Sequence, residues 1–160
     1  MSTFCYGNLI TEKAFDAIQM AKDLQQYALN SKCKFHMQFG GNAGAYCNFA
    51  RRLPVRGLQF DITNSIIENT AEEVFQCTFG APLSQNPFLE NIANIQSLFE
   101  YAFSVFKVDC IFFAIENDHA PFSLEDCRPC HIRDLHDLLY AFCTQDPHFG
   151  NLYLMVTAAQ

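Results

Sequence analysis

The chain has 160 residues, 50% of them hydrophobic and 17% charged, with a formal net charge of −7. That balance excludes intrinsic disorder, and seven Gly with six Pro exclude collagen-like or linker-dominated chains. The expectation is one α+β domain over residues 1–160, with a mixed β-sheet packed against three to four helices and a core rich in the seventeen Phe.

In chain order, the first helix is predicted over Thr11–Asn30, capped by Thr11, with Ala17, Met20, Ala21, Leu24 and Ala28 at helical spacing. Lys34, His36 and Gln38 alternate with Phe35, Met37 and Phe39, the period of a half-buried strand. Gly40-Gly41-Asn42-Ala43-Gly44 reads as a turn into a second strand, Ala45–Arg51, and Leu58–Thr63 adds a third. Thr70 followed by Glu73 is a capping-box pattern for a short helix ending near Cys77. The strongest helix prediction covers Pro87–Phe106. There Asn86 caps, Pro87 takes the first turn, and Ile92, Ile95, Phe99, Ala102, Phe103 and Phe106 form one stripe. Val108–Ile115 reads as a central strand and Asn117–Pro121 as a break. A last helix follows over His131–Cys143 and a last strand over Leu152–Val156, which together suggest a βαβ-like return.

Charge is unevenly distributed. Residues 1–56 hold seven Lys/Arg and three Asp/Glu, a net +4; residues 57–160 hold three and fourteen, a net −11. The acidic part repels polyanions, which argues against nucleic acid as a partner, and it can steer a basic protein. Arg51, Arg52 and Arg56 form too short a cluster for a nucleic-acid arm. The N-terminus shows no basic region followed by an apolar stretch. The apolar run Val108–Ile115 is broken by Asp109 and too short for a bilayer. A cytoplasmic location without membrane contact is therefore expected, with the eight Cys mostly reduced.

The densest group of reactive side chains is Cys127-Arg128-Pro129-Cys130-His131, with Asp134 and His136 beyond. Cys-x-x-Cys-His is the spacing that attaches a c-type haem, outside the cytoplasm. Two thiolates, an imidazole and a carboxylate also suit zinc, although no second Cys-x-x-Cys exists. Cys127-x-Pro129-Cys130 resembles the thioredoxin motif over four residues, and that resemblance implies a nucleophilic Cys127 at a helix start. In that family the motif sits early, with a hairpin and a cis-proline later; here about thirty residues follow. The preferred reading is a turn set by Pro129, with both thiols packed inward and neither cofactor nor metal.

Other candidates are weaker. The Gly40–Gly44 loop lacks the Lys-Ser/Thr of a phosphate-binding loop. His36 and Cys47 would make a thiol nucleophile only if the hairpin brought them together. Asp118-His119 and Asp137 suggest local hydrogen bonding, and no catalytic residue is assigned.

Two functional expectations remain. The first is an acidic binding module that inhibits a basic protein, the physical description that immunity proteins against toxic nucleases share. Its contact residues would be Glu68, Glu72, Glu73, Glu116, Asp118, Glu125 and Asp126. The second is a zinc-binding or thiol-redox domain built on Cys127, Cys130 and His131.

Overall fold

In the computed structural model the described residues are 4–31, 36–40, 57–63, 87–116, 124–144 and 151–158. They form strands β1 (Phe4–Ile10), β2 (His36–Gly40), β3 (Gly57–Thr63), β4 (Cys110–Glu116), β5 (Arg128–His131) and β6 (Leu152–Thr157). The helices are α1 (Ala17–Asn30), α2 (Pro87–Tyr101) and α3 (Leu135–Cys143). The six strands make one sheet in the order β2-β3-β1-β4-β6-β5, antiparallel throughout except for the β5–β6 pair. The class is α+β, as the composition and periodicities indicate. The first four strands with α1 and α2 follow the split βαβ, ferredoxin-like connectivity, in which each helix returns the chain past one intervening antiparallel strand. β4 then carries the sheet on to β6, and the unit β5-α3-β6 supplies the parallel return.

All three helices contribute to one core on one face of the sheet. Met20 and Leu24 of α1, Ile92, Ile95 and Phe99 of α2, and Leu135 and Leu139 of α3 pack with Leu9, Phe60, Ile111, Phe113, Leu154 and Val156. Three rings meet at its centre, with centroids 5.7 Å apart for Phe60–Phe99, 5.5 Å for Phe99–Phe113 and 6.3 Å for Phe60–Phe113. Gly7 on β1 lies opposite both Phe60 and Phe113, and the Phe60 ring fills the space a side chain would take. The other face carries a smaller cluster of Tyr6, Phe112, Ala114 and Tyr153, to which no described helix residue belongs. Asn8 sits on the same face by alternation and is fully buried.

Several elements depart from the sequence-based expectation. β1 was not predicted at all. α1 begins six residues after Thr11, and Asp16 is its N-cap, accepting from the Gln19 N–H at 3.1 Å. Thr11 is buried instead, its Oγ1 accepting from the Lys13 N–H at 3.3 Å. β2 pairs with β3, His36 opposite Thr63. The expected strand 45–51, the loop beyond Gly40, the helix 70–77, the Asn86 cap and the break at 117–121 lie outside the described residues. α2 ends at Tyr101 and continues as one π-helical turn, Ala102–Phe106, closed by Lys107 in the left-handed region at φ 52°. That change of winding leaves Phe103 only half-buried, whereas Phe99 is fully buried. β4 runs through the sheet centre as expected, anchored at its start by the Asp109 N–H donating to the Ile10 carbonyl at 2.8 Å.

Candidate functional site

Arg128–His131, directly after Cys127, is a β-strand, a correction to the expected turn. Arg128 pairs with Leu154 and Cys130 with Val156, so among the described residues β5 is the edge strand beside β6. Pro129 is tolerated because an edge strand has one side that needs no backbone donor. Successive side chains of an extended segment point to opposite faces, so residues three apart do as well. Cys130 accordingly packs in the helix-side core, while Cys127 packs against the Tyr6–Phe112–Tyr153 cluster. The sheet separates the two sulfurs. A haem attachment, a shared zinc ion and a reversible Cys127–Cys130 disulfide all need them on one side.

The electrostatics of the thiols agree with that geometry. Burial, then the neighbouring Asp126 carboxylate, push the Cys127 thiol up to about 11. Cys130 is also raised, by burial first and by Asp134 second, with Arg128 opposing. Nucleophilic thiols are shifted the other way. The expected helix start at His131 is also corrected. His131 caps a 3-10 turn, Ile132–Asp134, by accepting the Arg133 N–H on Nδ1 at 3.1 Å, and α3 begins only at Leu135. His136 ties α3 to α2 through its N–H, which donates to Gln96 Oε1 at 2.7 Å, and its ring stacks on Tyr140. Among the described residues no group of three His, Cys, Asp or Glu is placed to hold a metal ion.

The acidic candidates divide into two sets. Glu68, Glu72, Glu73 and Asp118 lie outside the described residues, as do Cys47, Arg51, Arg52, Arg56 and His119. Glu116, Glu125 and Asp126 are placed, and sheet topology brings them to one end. Glu116 is the last residue of β4, opposite Phe4. Ile115 faces Leu152 at the start of β6, and β5 runs parallel to β6 with Arg128 opposite Leu154. The chain therefore enters β5 at the end where β4 leaves the sheet. The 3-10 turn Leu124–Asp126 sits at that entrance, with Glu125 and Asp126 both exposed. Exposed Arg128 lies just inside the same end, so the local field is acidic but mixed.

Residues that pattern reading missed are Tyr6, Asn8, Phe112 and Tyr153, which share the second sheet face. Phe112 stacks on Tyr153 with centroids 6.4 Å apart and tilts against Tyr6 at 6.1 Å. Their sequence signal is weak: Gly7 and Asn8 interrupt the apolar run Phe4–Ile10, and Phe112 and Tyr153 lie in near-continuous apolar runs whose pattern does not mark one face. No helix among the described residues is long and apolar enough to cross a membrane. No protein-family model matches the chain, and neither does any curated protein or solved structure.

Proposed function

We propose that the protein is an acidic binding module that inhibits a basic protein partner, in the manner of a cytoplasmic immunity protein neutralising a toxic nuclease. The observation that supports this reading is the placement of Glu116, Glu125 and Asp126 at one end of the sheet, within the part of the chain that carries −11. A nuclease must present Lys and Arg to its phosphate substrate, and exposed carboxylates complement such a surface and compete for it. Glu68, Glu72, Glu73 and Asp118 belong to the same proposed contact by charge. The alternative built on Cys127, Cys130 and His131 loses its main support, since the sulfurs face opposite sides and the thiols are raised rather than activated.

The test is affinity capture from the native host, then purification of the captured protein, a nuclease assay, and stopped-flow binding at low and high salt. The expected partner is basic, loses nuclease activity on binding, and associates more slowly with Glu125→Lys/Asp126→Lys and with Glu68→Lys/Glu72→Lys/Glu73→Lys. High salt should slow the wild type toward the variants, because the Debye length falls from about 10 Å at 0.1 M to about 3 Å at 1 M. An association rate indifferent to salt and to both reversals would refute the acidic contact, and a captured partner without nuclease activity would refute the nuclease assignment.

A further inference from the structure

No further inference is drawn: the strongest candidate, the buried second face of the sheet around Tyr6, Asn8, Phe112 and Tyr153, is an apolar face for which nothing in the structure shows what covers it.

Discussion

Replacing Gly7 with alanine adds one methyl group at a tightly packed point of a central strand. β1 is held on both sides, with Gly7 opposite Phe60 of β3 and Phe113 of β4. A Cβ built there overlaps the Phe112 carbonyl oxygen and lies 2.5 Å from Phe60 Cζ and 2.9 Å from Phe60 Cε1. The Phe60 ring has little room to retreat, because it already packs on Phe99 and Phe113. The carbonyl cannot move without disturbing the β1–β4 ladder. Overpacking typically costs about 1–3 kcal/mol, and a backbone clash in a central strand belongs at the upper end, about 3 kcal/mol. The opposing effect is small. Alanine stiffens the unfolded chain and favours folding by about 0.4–1 kcal/mol where the native backbone accepts it. Gly7 does not have a positive φ, so backbone conformation alone would accept alanine and only the lack of space forbids it. The two terms therefore predict opposite signs. A net loss of about 2–3 kcal/mol corresponds to a fall in Tm of about 4–12 °C for a chain of this size. Thermal and urea unfolding followed by far-UV circular dichroism measure it. Adding Phe60→Leu should recover only part of the loss, since the carbonyl overlap persists. An unchanged or raised Tm for Gly7→Ala would refute the close-approach argument.

The remaining predictions use the same unfolding assay or thiol mapping. Phe99→Ala should cost about 3–5 kcal/mol as a fully buried ring, and Phe103→Ala clearly less, since it lies half-exposed on the π-helical turn; equal losses would mean that α2 does not change winding there. Lys107→Gly should stabilise by about 0.5–1 kcal/mol, because a non-glycine residue at φ 52° carries backbone strain; a loss would place Lys107 outside the left-handed region. Cys127, with its thiol near 11, should alkylate slowly at pH 8 and faster as pH approaches 11, read by peptide mass mapping. Asp126→Asn should speed the reaction, and a rate inflection near pH 7 would contradict the partly buried placement beside Asp126. Cys127 keeps its proton to higher pH in the folded chain than its ordinary value of 9.0 allows. Its contribution to stability is therefore full below pH 9 and declines as pH rises through about 11, an order that a stability profile from pH 8 to 11.5 would verify.

Elements whose evidence is local were legible in the chain. The stripe Ile92, Ile95, Phe99 forms the buried side of α2, Met20, Leu24 and Ala28 that of α1, and Leu135 and Leu139 that of α3. The apolar runs of β4 and β6 became adjacent strands, and the alternation after residue 34 became β2. Periodicity alone determines such elements, because a side chain's neighbours along a helix or strand are set by backbone geometry. Elements that depend on distant partners were not legible. β1 reads poorly because Gly7 and Asn8 interrupt its apolar run, yet Gly7 is required by the Phe60 ring and the Phe112 carbonyl, which only sheet pairing brings there. β5 reads as a turn because Pro129 favours one, and it is a strand because its inner edge joins β6 while its outer edge needs no donor. The same edge position decides the Cys127–Cys130 question. Spacing in sequence puts two thiols three residues apart, but whether they meet depends on the backbone between them, and an extended backbone sends them to opposite faces of the sheet.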